Sequence, residues 1–132
     1  MIQDDIQKLA YNVCLFCCYY KFTELKCGNA PLTLSLLLKL LSQAYEESLI
    51  DEECTVLDAV KLLRRFGLKT NVIKVPVKSL EEVKELAPVR FDYNGKSHWV
   101  LVQNGKVVFN SLSSSVCVKN GKPSTMRSII IL

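Results

Sequence analysis

The chain has 132 residues, which is the size of one domain and enough to bury a hydrophobic core without disulfides or a structural metal. Apolar residues make up 49% and charged residues 23%, so the composition excludes a disordered chain. The net charge of +4 is mild and the basic residues are dispersed, which predicts no nucleic-acid surface, and no apolar run is long enough to predict a membrane span. We therefore expect one domain over residues 1–132.

The first half of the chain has the periodicity of helices. Apolar residues recur at helical spacing over about 6–22, with no glycine or proline among them. The pattern predicts a second, leucine-rich helix from Thr33 or Ser35 to about Ser48. The stretch TVLDAVKLLRRFG then predicts a short amphipathic helix that stops at Gly67, a common residue after a helix end.

The second half of the chain favours strands. TNVIKVPV is rich in β-branched residues and predicts a strand with Pro76 at its end or on a sheet edge. Ser79 and Glu82 have the spacing of a capping box and predict a helix start. Further strands, separated by Asn-Gly turns, are predicted over 88–93, 97–103, 106–110 and 126–132. Helices followed by an antiparallel sheet indicate an α+β domain.

The cysteines point to reduced thiols. Six cysteines are too few for a disulfide scaffold, and the start MIQDDIQK lacks the basic region of a secretory signal, so we expect a cytoplasmic protein. Cys14 and Cys17 have the spacing of a zinc-ligand pair, but they lie in an apolar run and no second matched pair follows. We predict no metal and no cofactor, which leaves the thiols for packing or catalysis.

One hairpin contains the most informative polar residues, because His98 is the only histidine and Asn110 follows on the next strand. A two-residue turn at Asn104-Gly105 would place His98 opposite Ser111 and point Asn110 to the other face. A three-residue loop over 103–105, with a bulge, would place His98 directly opposite Asn110, with Cβ atoms about 5 Å apart. The sequence permits both registers. In the second, the asparagine carbonyl can fix the imidazole tautomer.

Cys14 is the candidate nucleophile. A catalytic thiol needs a lowered pKa, which a helix N-terminus or a neighbouring imidazolium can supply. The chain order Cys14, His98, Asn110 is that of papain-like proteases, in which the cysteine begins a long helix and the other two lie on later strands. The alternative is a buried, inert thiol, since NVCLFCCYY is apolar nearly all round; Cys17 and Cys18 are weaker candidates for the same reason.

Several stretches resemble an uncharacterised family of small bacterial and phage-borne proteins. That family is similar to papain-like cysteine peptidases and distantly akin to bacteriocin-processing peptidase domains. The resemblance covers nearly the whole chain and implies a papain-like α+β fold with a groove between helices and sheet, and hydrolysis of a peptide or isopeptide bond. The stretches are QDDIQKLAYNVC, ESLIDEECTVLDAVKLL, SHWVLVQNGKVVFNSLSSS and KNGKPSTMRSI.

The resemblance also implies roles for single residues. His98 takes the general-base position, and Asn110 takes the orienting position, where relatives often carry aspartate followed by proline. An ungapped count from the N-terminus places Tyr11 at the nucleophile position. Cys14 fits if the start is longer by about three residues, close to one helical turn.

Two readings of the function follow from this choice. If Cys14 is the nucleophile, the protein is a small cysteine peptidase in which Gln7 or Gln3 donates to the oxyanion. If Tyr11 stands in its place, the same fold is an inactive module that binds a peptide or protein in its groove. The sequence names neither the substrate or partner nor the oligomeric state.

Overall fold

The computed structural model describes residues 13–111 and 115–132. Within these ranges, three helices precede the sheet and a fourth lies before the last strand. They are α1 (Cys14–Cys27), α2 (Leu34–Glu46), α3 (Ala59–Arg65) and α4 (Val116–Asn120). None of them has the combination of length and apolar character that crossing a membrane requires.

The helix starts in the first half follow capping chemistry. The Thr33 hydroxyl accepts a hydrogen bond from the Leu36 amide at 3.1 Å, so Thr33 rather than Ser35 opens α2. The Asp58 carboxylate accepts from the Lys61 amide at 3.0 Å and opens α3. Glycines follow α1 and α3, and Gly28 adopts a left-handed φ of 71° as the C-cap of α1.

The first helix differs from its prediction at both ends. Val13 lies outside α1, so a continuous helix over 6–22 is wrong at this point; residues 6–12 lie outside the described ranges. Val13 makes no side-chain cap bond, and apolar periodicity alone does not mark a start that lacks a capping residue. At the other end α1 runs past Phe22 to Cys27, because the left-handed glycine stands only after that residue.

The strands form one five-stranded sheet. They are β1 (Thr70–Pro76), β2 (Ala87–Tyr93), β3 (Lys96–Gln103), β4 (Lys106–Phe109) and β5 (Lys122–Ile131). Their order is β1-β5-β2-β3-β4, and every neighbouring pair is antiparallel. The predicted α+β class, with helices first and an antiparallel sheet after them, is confirmed. Pro76 ends the edge strand β1, where its missing N–H costs no ladder bond.

The capping-box prediction is correct for only one turn. Ser79 accepts from the Glu81 amide at 3.3 Å and opens a single 3₁₀ turn over Leu80–Glu82. The Glu82 carboxylate accepts from the Lys78 amide at 3.1 Å and not from Ser79. The turn stops there because the chain re-enters the sheet at β2. The helix α4 and the first residues of β5 were not predicted.

Side chains cover both faces of the sheet. The helices α1 to α3 cover one face, where Phe66 makes edge-on ring contacts with Phe16 and Tyr20, at 5.5 and 5.2 Å between ring centroids. A smaller cluster that includes Val83 and Cys117 covers the other face. Strand β3 is buried on both faces over 98–102, which explains its nearly unbroken apolar run.

Candidate functional site

The hairpin of β3 and β4 closes with a two-residue turn. Asn104 and Gly105 have φ angles of 51° and 73°, as a type I′ turn requires. Beside the turn, Gln103 pairs with Lys106. Of the two alternatives that the sequence permits, the two-residue turn is therefore formed and the three-residue loop is not, since the Asn-Gly pair alone closes the turn with the twist that antiparallel strands need.

A bulge then changes the register by one residue. Val102 pairs with Val107, but Leu101 pairs with Phe109, so the intervening Val108 is an extra residue in β4. Strand side chains alternate between faces with a period of two, so one extra residue exchanges the faces of everything beyond it. Continued by one step, this pairing brings Asn110 to the face of β3 that carries His98.

His98 and Asn110 form a hydrogen bond. Nε2 of His98 lies 2.7 Å from Oδ1 of Asn110. Because a carbonyl oxygen only accepts, Nε2 carries the proton, and Nδ1 is the acceptor atom of the neutral ring. The histidine is 0% exposed; burial lowers its pKa, and the bond to Asn110 opposes that effect in part. The ring is therefore neutral near pH 7, in one tautomer.

Cys14 lies against the same strand. It is the first residue of α1, where the helix dipole favours a negative charge. Its sulfur accepts a hydrogen bond from the backbone amide of Trp99 at 3.3 Å. That amide nitrogen belongs to the peptide group that joins His98 to Trp99. The fold thus brings the thiol to the backbone beside the histidine, across 85 residues of sequence.

Burial determines the ionisation of Cys14. The residue is 1% exposed, and removal from water raises the pKa of its thiol to about 11, although the Trp99 and Leu15 amides lower it. The resting pair is therefore a neutral thiol and a neutral imidazole. A thiolate forms only together with transfer of the proton to another group.

The other thiols divide by exposure. Cys17 and Cys18 are buried, and burial raises the pKa of Cys17 to about 12 and that of Cys18 well above its ordinary value of 9.0. Cys27 is exposed and Cys54 is partly exposed, and none of the six cysteines is in a disulfide. Within 13–111 and 115–132, no cluster of three potential ligands is arranged to hold a metal ion.

Sequence reasoning missed Cys117. This residue lies in α4 and is fully buried, and it is the smallest of the influences on the pKa of Cys14, which it raises. The helix that carries it has only five residues, which is too few for a periodic pattern to be recognised. The one available signal was a cysteine between two valines, just after the serine run.

Several predicted residues lie outside the described ranges. Gln3, Gln7 and Tyr11 are among them, so the oxyanion donor and the tyrosine alternative stay predictions. The same holds for the middle of the serine run, residues 112–114.

A pocket opens between the helices and the sheet, and Cys14, His98 and Asn110 are not among the residues that line it. Its volume is about 320 Å³, and Leu15, the residue after Cys14, contributes to its wall. Its wall also contains Asp58 at the start of α3, Lys74 on β1 and Arg127 on β5.

Comparison with known proteins identifies no relative: no protein-family model, curated protein or solved structure matches this chain. Function is therefore inferred from the chemistry that Cys14, His98 and Asn110 can perform together.

Proposed function

We propose that the protein is a small papain-like cysteine peptidase, with Cys14 as nucleophile, His98 as general base and Asn110 as the residue that orients the imidazole. One observation carries the proposal. The imidazole donates to Asn110 at 2.7 Å, while the sulfur of Cys14 accepts from the amide of the next residue on the histidine's strand. The helices-then-sheet architecture and the position of Cys14 at a helix start support the same reading.

The chemistry follows from the tautomer. Asn110 keeps the proton on Nε2, so Nδ1 receives the thiol proton as sulfur bonds to the carbonyl carbon of a peptide or isopeptide. Nδ1 then returns that proton to the leaving amine as the carbon–nitrogen bond breaks, which leaves an acyl thioester. Water attacks the thioester with His98 as base; the carbon–sulfur bond breaks, and the sulfur regains a proton.

The neutral resting pair predicts a particular pH profile. Burial disfavours both the thiolate and the imidazolium, so proton transfer accompanies attack instead of preceding it. Activity then requires neutral His98 and rises with pH through the histidine pKa, which lies below 6.5. If Cys14 and His98 instead formed a thiolate–imidazolium pair before attack, the pKa of the Cys14 thiol would lie far below about 11, the value that burial gives it.

A second candidate function is a binding module that does not cut its ligand. It is favoured by the 1% exposure of Cys14, since a core thiol is inert and the bond between His98 and Asn110 then only stabilises the hairpin. The groove beside α1 would hold a peptide or protein partner without reacting with it.

Site-resolved alkylation separates the two functions. The experiment uses a background in which Cys27 and Cys54 are replaced by serine, because their exposure would otherwise dominate labelling. A limiting dose of iodoacetamide near neutral pH is followed by mass spectrometry. Cys17 is the internal control, because it is equally buried, and His98→Gln tests the base.

If the protein is a peptidase, we expect Cys14 to be labelled faster than Cys17. We also expect His98→Gln to lower the ratio of these two labelling rates at least about tenfold. Equal, slow labelling of Cys14 and Cys17 that is indifferent to His98→Gln would refute the peptidase. That result would leave the binding module as the function.

A further inference from the structure

The pocket that Leu15 borders contains paired positive charges. Lys74 on β1 and Arg127 on β5 lie directly opposite each other across the two strands, and both face the pocket. Like charges in directly opposite positions destabilise a sheet. A fold that keeps such a pair facing a pocket is suited to a ligand of the opposite charge.

Within the described ranges, neither Lys74 nor Arg127 forms an ion pair with an acidic side chain. The ion pairs found there join Lys21 to Glu24, Arg65 to Glu47 and Arg90 to Asp92. Asp58 does line the pocket, but its Oδ1 is engaged as the N-cap of α3. The pocket therefore has two basic groups and one carboxylate that is already hydrogen-bonded.

Arg127 is also held in place. Its guanidinium stacks on the ring of Trp99, 4.7 Å from the ring centroid, and Nη1 donates to the Thr125 hydroxyl at 3.3 Å. The Trp99 amide in turn donates to the sulfur of Cys14. One residue, Trp99, thus contacts both the guanidinium and the candidate nucleophile.

We propose that this pocket binds a carboxylate of the peptide substrate, next to the bond that Cys14 attacks. Arg127 presents the planar fork that binds a carboxylate through two parallel hydrogen bonds, and Lys74 adds a second positive charge from the exposed edge strand. The carboxylate is either an aspartate or glutamate side chain or the C-terminus of the peptide. The role of this pocket in substrate specificity rests on the proposed peptidase function. Binding of the carboxylate to the pocket can be measured without catalysis.

Fluorescence of Trp99 provides the measurement, because it is the only tryptophan and it touches Arg127. The protein carries Cys14→Ala, so that no turnover occurs during titration. The probes are acetyl-Ala-Glu-Ala-amide, its glutamine counterpart acetyl-Ala-Gln-Ala-amide, and acetyl-Ala-Gln-Ala with a free carboxylate. We expect the glutamate peptide, the free-carboxylate peptide or both to bind about tenfold tighter than the neutral amide. Comparison of the glutamate peptide with the free-carboxylate peptide identifies which carboxylate the pocket takes.

Variants locate the binding. Arg127→Gln should abolish the preference for the carboxylate, and Lys74→Gln, on an exposed residue, should reduce it about threefold without affecting folding. Arg64→Gln is the matched control, because it removes the same charge from an exposed residue that borders a different pocket. Equal binding of all three peptides, or an equal loss in Arg64→Gln, would overturn the proposal.

The two proposals fail separately. An inert Cys14 together with tight carboxylate binding refutes the peptidase and supports the pocket. A reactive Cys14 together with no carboxylate preference supports the peptidase and refutes the pocket.

Discussion

Asn110 accepts a hydrogen bond from His98 across a hairpin whose tight turn alone would put the two side chains on opposite faces of the sheet. The bulge at Val108 removes that conflict, because one extra residue exchanges the faces of the positions beyond it. The pair therefore depends on two local features, the Asn-Gly turn and the bulge.

Asn110→Ala should change the imidazole of His98 directly. The hydrogen bond raises the histidine pKa against burial, so its loss should lower that pKa further and remove the preference for the Nε2-protonated tautomer. Nitrogen chemical shifts of the single histidine, followed by NMR across pH, report both effects. Ser111→Ala, at the exposed neighbouring position, should leave them unchanged. An unaltered titration in Asn110→Ala would contradict the assignment.

The free energy of unfolding should fall on acidification because His98 becomes protonated. Its pKa is lower in the folded protein than its ordinary value of 6.5, so below that pH the unfolded chain binds more protons than the folded one. The contribution of His98 to the free energy of unfolding is complete above pH 6.5. It is lost as the pH falls towards the pKa that His98 has in the folded protein. Urea unfolding from about pH 7.5 to about pH 5.5 should show this decline in the wild type. His98→Gln should show a shallower decline, and identical slopes would contradict the prediction.

Stability should also fall on the alkaline side through Cys14. The folded thiol has a pKa of about 11 against an ordinary 9.0, so between these values the unfolded state loses its proton first. The free energy of unfolding therefore decreases as the pH rises above 9.0. Cys14→Ala should weaken this decrease, whereas Cys27→Ala, at an exposed position, should not. Denaturant titrations of the three proteins across this range make the comparison.

Much of the fold could be predicted because its signals are local. Apolar periodicity located α2 and α3, and the Asn-Gly pairs located the turns on either side of β3. The bulge could not be predicted, because a repeated valine fits either strand register. The short α4 also escaped prediction, and the helix that begins after Ser79 ends after a single turn, since the extent of each is set by packing against the sheet and not by its own sequence period.

The residue types of the candidate site could be predicted from the sequence, but the burial and the neighbours of these residues could not. The order of Cys14, His98 and Asn110 could be read from the chain, whereas burial of the thiol depends on how α1 packs on β3. The pairing of Lys74 with Arg127 depends on β5 lying between β1 and β2, a placement that no local pattern encodes.

Gly121→Ala should disrupt the segment that holds Cys117 near the candidate site. A Cβ at Gly121 would lie 2.3 Å from the Cys117 carbonyl oxygen and 2.4 Å from that of Asp92, both of which are backbone atoms. We expect a loss of roughly 3 kcal/mol or more in the free energy of unfolding. Gly28→Ala is the matched control, because its Cβ meets no atom within 4 Å and its φ of 71° costs only about 1 kcal/mol. Equal losses in thermal or chemical unfolding would contradict this account.

The bulged valine has a consequence for recognising sites of this kind in other chains. Consider a hairpin with the same turn, no bulge in its second strand, and the asparagine one residue earlier. The asparagine side chain would then take the same position relative to β3, within reach of the same histidine. Chains can therefore differ by one residue between histidine and amide and still build the same pair. A search that demands one fixed spacing would miss the chains that use the other.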